Sequence, residues 1–155
     1  MGRLSVFIAS FGYVGYFPIA PGTAGSFAAL ALFALVRWVG SPVFELSAIV
    51  AVFAIGVWAA SAAEVALGRK DPGIVVIDEV LGMLVTLALL PVSLAGIAVG
   101  FVLFRVFDVI KPYPANRLEQ LHGGLGIMAD DAMAGFYAYL VLRGCMWMMP
   151  AWLTA

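Results

Sequence analysis

Apolar residues run in long blocks along this chain, and the breaks between them fall at short polar or glycine- and proline-rich stretches. After "PGTAGS", a block from about Gly25 to Val39 predicts a first helix that closes around Arg37, Trp38 and Gly40. "SPVFELSAIVAVFAIGVWAASAAEVALG" predicts a longer second helix, Pro42 to Leu67, because Ser41-Pro42 is a start signal and Gly68 a stop. A third helix is expected from about Ile74 to Leu90, with Asp78 and Glu79 in its early turns. The fourth spans Leu94 to Ile110 and ends at Lys111-Pro112. A loop of about twenty residues then leads to a fifth helix over roughly Asp131 to Met149. The third and fourth blocks are short for a hydrocarbon core of ~30 Å, so they either span a thinned bilayer or enter it only part way.

Composition turns this helical pattern into a membrane reading. The chain is 65% hydrophobic and 11% charged, with mean hydropathy +1.10. A soluble domain is about 45–50% apolar and about 25% charged. The expected fold is therefore an all-α integral membrane protein, a compact bundle of about four to five membrane helices at roughly 20 residues each. Residues 1–155 are expected to form one membrane-embedded catalytic domain, with no internal repeat. The opening "MGRLSVFIASFGYVGYFPIAPG" is too irregular in Gly, Pro and aromatics for a signal peptide, so it predicts an interfacial or re-entrant segment. A lone cysteine, Cys145, permits no intrachain disulfide and fits simple packing.

The few charges are not scattered. If the helices alternate direction, Glu64 and Asp71 at the end of helix two share a membrane face with Asp78 and Glu79 at the start of helix three. Asp108 and Lys111, Asp130 and Asp131, and "PGTAGS" fall on that same face, whereas Arg37, Glu45 and Arg143 point to the other. Arg3, Arg69, Lys70, Arg105, Lys111 and Arg117 also gather there, which predicts a cytoplasmic orientation in an inner membrane. Trp38, Trp147, Trp152 and Tyr113 suit interfacial anchors.

Carboxylates gathered at a lipid–water boundary repel one another unless something cationic joins them. Mg²⁺ fits, since it takes oxygen ligands and is commonly held by carboxylates together with a substrate phosphate. "APGTAGS" offers glycines and Thr23 at a helix start, where a capping role and an anion cradle are both possible. Asp108 and Lys111 stand three residues apart, as an ion pair or as a metal ligand beside a phosphate-neutralising cation. Asp131 could be a ligand or a partner of its helix dipole. His122, alone in a loop, is read as solvated rather than catalytic.

Together "PGTAGS", "DPGIVVIDEVLGM", "FDVIKPYP" and "GGLGIMADDAMAG" resemble the phosphatidylglycerophosphatase A family, over about Phe11 to Tyr139. The resemblance implies a Mg²⁺-dependent phosphatase converting phosphatidylglycerophosphate to phosphatidylglycerol and inorganic phosphate. Carried over by motif, it implies Glu64, Asp71, Asp78, Glu79, Asp108, Asp130 and Asp131 as acidic metal-site positions. Asp78, Glu79, Asp108, Asp130 and Asp131 are the expected catalytic set, and Thr23 and Lys111 the expected phosphate binders. Expected partners are the phospholipid substrate and membrane lipids, with no nucleic acid. Attack by water is preferred over an aspartyl-phosphate route, because no D-x-D-x-T pattern is present.

Other classes fit less well. An ion-coupled transporter keeps its charges near the midplane of repeated, broken helices, whereas these sit at helix ends. A phosphoalcohol transferase or a broader lipid phosphatase would use similar Mg²⁺ chemistry, but the transferase signature D-G-x-x-A-R is missing.

Overall fold

The computed structural model describes residues 2–155, and among them the apolar blocks become helices with no β-sheet. The order is α1 (Gly2–Ala9), a 3₁₀ turn (Val14–Tyr16), α2 (Pro21–Trp38), α3 (Pro42–Leu67), α4 (Ile77–Leu87), α5 (Leu94–Ile110), α6 (Ala115–Leu118), α7 (Gly124–Met148) and α8 (Pro150–Leu153). α3 and α5 carry the ends their sequences predict. Ser41 Oγ accepts from Phe44 N at 3.3 Å and Gly68 closes α3 at φ 62°, while Ser93 Oγ accepts from Gly96 N at 3.1 Å.

Three helices depart from expectation. α2 starts a turn early, at Pro21, so Thr23 lies inside its first turn and Ala20 occupies the cap with no side-chain hydrogen bond. α4 is only 11 residues long. Before it, Val76 N is held by the Ala9 carbonyl at 2.9 Å, and beyond it Leu89 N is captured by Glu45 Oε1 at 2.7 Å. α7 begins at Gly124, not Asp131, so the diaspartate lies within the helix and Asp131 is no partner of its N-terminal dipole.

α4 sits at the centre. Val80, Leu81, Met83, Leu84 and Leu87 are all buried, against α2, α3, α5 and above all α7. Where α4 meets α7, a side chain on Gly135 would run into the Gly82 carbonyl, so two glycines let the backbones touch. Around this core, α3 is apolar on all sides, yet only 22% of its most apolar stretch is buried. A helix of that kind is stable where lipid covers it. By length and hydropathy α3 and α7 can cross a membrane, fewer than the four to five spans the sequence suggested.

The N-terminal segment leaves and returns at one end. Gly2 lies against Ala66 near the end of α3, and Gly22 at the start of α2 lies against Glu79 and Arg105. That end also holds the starts of α4 and α7 and the end of α5. The far end carries Arg37 and the buried Glu45, paired at 3.3 Å.

Candidate active site

At the shared end, the short α4 and the longer α7 place their carboxylates face to face. Asp78, Glu79 and Asp131 each offer an oxygen, and these three atoms lie within 4.8 Å of one another. Asp78 Oδ1, Glu79 Oε2 and Asp131 Oδ2 are buried and accept no hydrogen bond. Uncompensated buried carboxylates are costly, by several kcal/mol each in order of magnitude. An all-oxygen set with unfilled acceptors suits a hard divalent cation such as Mg²⁺.

α5 supplies the next wall. Asp108 lies close enough to Asp131 for the two carboxyl groups to interact. Arg105, one turn earlier, lies 2.8 Å from Asp108 Oδ2 and 3.8 Å from Glu79 Oε1, and its Nη1 donates to Ser26 Oγ at 3.4 Å. A single guanidinium thus spans carboxylates from α4 and α5. The first turn of α2 closes this side, with Gly22 against Glu79 and Arg105 and its N-terminal amides free of intrahelical partners.

Lys111 closes α5 in the left-handed region at φ 45° and donates to Asp130 Oδ2, with Glu119 Oε1 at 3.9 Å. Burial alone would lower the lysine's pKa. The hydrogen bond to Asp130 and the charges of Asp130, Asp131 and Glu119 outweigh it and raise the pKa above the ordinary value. Asp130 Oδ1 also accepts from Asp131 N at 2.9 Å, so its carboxylate is engaged on both oxygens. Glu64 Oε1 accepts from Asp71 N at 2.8 Å, which fixes the turn after α3.

A cavity of about 270 Å³ adjoins the Asp78–Glu79–Asp131 group at Asp78 and is lined among others by Lys70, Asp71, Lys111, Glu119 and Asp130. The residues expected from the sequence therefore converge, but in tiers. Asp78, Glu79 and Asp131 form the inner group, with Asp108 against it. Asp130, Lys111 and Asp71 line the cavity, with Glu64 bonded to the Asp71 amide, while Glu64 and Thr23 are not part of the cavity wall. His122 is exposed and is absent from the cavity wall.

Over residues 7–146 the chain matches the family described as Phosphatidylglycerophosphatase A. It belongs to that family. It is 38% identical over 123 residues to Phosphatidylglycerophosphatase A of Escherichia coli (strain K12), covering 78% of this chain and 71% of the relative. The Haemophilus influenzae protein of the same name is 36% identical over 126 residues, or 79% and 77% of the two chains. A Bacteroides thetaiotaomicron protein, provisionally named a phosphatidylinositol-3-phosphatase, is 34% identical over 143 residues, or 87% and 89%. No solved structure matches the chain.

Two residues of this phosphatidylglycerophosphatase A family member were not singled out as site residues from the sequence. Arg105 read only as one of the basic residues on this face, although its i,i+3 spacing to Asp108 was a signal for a carboxylate-bridging arginine. Glu119, in the loop before α7, carried no signal, since only the fold of α6 brings it to Lys111.

Proposed function

We propose that this chain is a lipid phosphatase that hydrolyses phosphatidylglycerophosphate to phosphatidylglycerol and inorganic phosphate. The observation that carries the reading is the Asp78–Glu79–Asp131 group with its buried, unpartnered oxygens, in a chain of this family. Asp78, Glu79 and Asp131 are the residues that would hold Mg²⁺, with Asp108 beside them. Bound there, the ion would offset charge on the phosphate and acidify a nearby water.

The chain's own groups do the rest. The free amides at the start of α2, Thr23 among them, face the site with the positive end of the helix and receive phosphate oxygens. Lys111 holds Asp130 and adds positive potential at the cavity. A carboxylate of the inner group takes a proton from the attacking water. The new bond forms between water oxygen and phosphorus, the bond to the glycerol oxygen breaks, and that oxygen takes a proton from solvent in the cavity as the carboxylate returns its own to solvent. Arg105 keeps the Glu79 and Asp108 carboxylates in place throughout. Glu64 and Asp71 shape the approach, and as further carboxylates they complete the expected ligand field.

Residues 1–155 act in this reading as one domain, a multi-pass bundle in a bacterial inner membrane. Its lipid-facing sides are the apolar residues left outward, such as Val43, Val50, Val65, Leu94 and Val102. The site end carries Arg3, Arg69, Lys70, Arg105, Lys111 and Arg117 and faces the cytoplasm.

Phosphate release by the detergent-purified protein tests the reading, with Mg²⁺ or EDTA, on phosphatidylglycerophosphate and on phosphatidylinositol 3-phosphate. Mg²⁺-dependent release from the first, lost in Asp78→Asn and Asp131→Asn, is expected. Release that survives both substitutions would overturn the site, and faster release from the inositol lipid would move the substrate toward that of the Bacteroides relative.

A further inference from the structure

The site cavity has acidic walls, with Asp71, Asp78, Glu119 and Asp130 all lining it. Its two lysines are not equivalent. Lys111 is already matched by Asp130 and Glu119. Lys70 also lines the cavity, is exposed, and among the described residues has no carboxylate within ion-pair distance.

Nor does Lys70 sit on a loose loop. Glu64 receives three backbone donors from this turn: its carbonyl accepts from Gly68 N and from Arg69 N at 3.3 Å, and its carboxylate accepts from Asp71 N at 2.8 Å. Asp71 follows at φ 43°, a left-handed residue that reverses the chain there. Lys70 thus stands on a fixed turn and lines the same cavity as Asp78 of the inner carboxylate group.

Resting on the phosphatase reading above, we propose that Lys70 binds the second phosphate of the substrate. That is the diester phosphate joining the headgroup to diacylglycerol, and the contact makes the enzyme prefer lipids that carry two phosphates. Such a lipid carries its two phosphates one glycerol apart, and the cavity is lined both by Asp78 of the inner carboxylate group and by Lys70. With the terminal phosphate at the carboxylates, the diester is left for Lys70. A lipid with one phosphate placed at the buried group leaves Lys70 without an anion. The contact is a charge-assisted one, formed equally in ground and transition states, so it acts on KM more than on kcat.

Lys70→Gln and Lys70→Arg are assayed in detergent micelles on phosphatidylglycerophosphate and on phosphatidic acid, which has a single phosphate. Lys70→Gln is expected to raise KM for phosphatidylglycerophosphate about tenfold, on the scale of one charged hydrogen bond, with kcat nearly kept. The preference for it over phosphatidic acid should fall by the same factor, and Lys70→Arg should restore both. Direct binding of phosphatidylglycerol, which has the diester but no terminal phosphate, should weaken equally in Lys70→Gln. Equal losses on both lipids would overturn the proposal by placing Lys70 at the reacting phosphate, and so would an unchanged KM with unchanged phosphatidylglycerol binding. A wild-type protein that releases no phosphate from either lipid would instead sink the phosphatase reading, and the binding arm would still decide Lys70.

Discussion

Arg105 Nη1 lies 2.8 Å from Asp108 Oδ2, one turn away on α5, and the same nitrogen reaches Glu79 on α4 at 3.8 Å. Both carboxylates are largely buried, so the arginine offsets repulsion that water cannot screen there. Arg105→Ala would leave Glu79 and Asp108 to move apart, and small displacements of catalytic groups cost about 100-fold in rate. A fall of that size in kcat/KM is expected, with a higher Mg²⁺ requirement and a folded protein by thermal melting in detergent. Arg105→Lys should recover only part, because its compact ammonium on a different stem does not reproduce the position of the guanidinium nitrogen that lies between the two carboxylates. Full activity in Arg105→Ala would remove the arginine from the site.

The inner carboxylates predict opposite signs for stability and activity. Asp131 is 2% exposed, with one oxygen lacking any hydrogen-bond donor. Replacing it by Asn removes a buried negative charge from beside Asp78 and Glu79. In EDTA, Asp131→Asn should therefore melt higher than the wild type while showing no activity. Added Mg²⁺ should reverse the ranking. At a concentration 100 times its Kd, an ion bound only by the native state stabilises by about 2.7 kcal/mol. A melting temperature of Asp131→Asn that rises with Mg²⁺ as steeply as the wild type's would exclude Asp131 from the metal site.

These carboxylates were legible in the sequence because charge is rare in a chain 11% charged, so each acid stood out against an apolar background. Alternation of helix direction then placed them at one end. Helix boundaries were less legible, for local reasons. "GGLG" has the composition of a loop, yet Gly124 and Gly126 are inside α7, where Val57 and Leu121 carbonyls leave no space for a side chain. Tertiary packing overrode the low helix propensity of glycine there. "PGTAGS" misled in the same way, with Pro21 opening α2 instead of preceding it. The ends of α4 were hidden because partners distant in sequence set them, Ala9 before it and Glu45 after it.

Glu45 supports a prediction at the far end of the molecule. It is 5% exposed, accepts from Leu89 N at 2.7 Å, and pairs with Arg37 at 3.3 Å. Leu89 itself is at φ 56°, so this carboxylate holds an unfavourable turn closed after α4. Glu45→Ala is expected to destabilise the protein by about 2 kcal/mol, chiefly because the Leu89 amide loses its charged acceptor, while the half-exposed Arg37 is rehydrated. Activity measured well below the melting temperature should stay near that of the wild type. A large loss of kcat with an unchanged melting temperature would instead tie this end to the chemistry.

Two glycines separate site geometry from packing. Gly22, in the first turn of α2, faces the Glu79 carboxylate, while Gly135 on α7 faces the Gly82 backbone of α4. Both lie in helices, where alanine is intrinsically favoured over glycine by about 1 kcal/mol. At Gly22 the added methyl meets a carboxylate that can rotate away, so Gly22→Ala should fold with little change in melting temperature. The displaced Glu79 then no longer meets Asp78 and Asp131, and activity should fall by about 100-fold. At Gly135 the methyl meets backbone that cannot move without parting α4 from α7, so Gly135→Ala should lower the melting temperature and reduce activity only as far as the protein unfolds. Melting curves and rates measured on the same two preparations check both arms. If Gly22→Ala lost stability in step with activity, the first turn of α2 would be a packing element and its amides would have no separate part in holding phosphate.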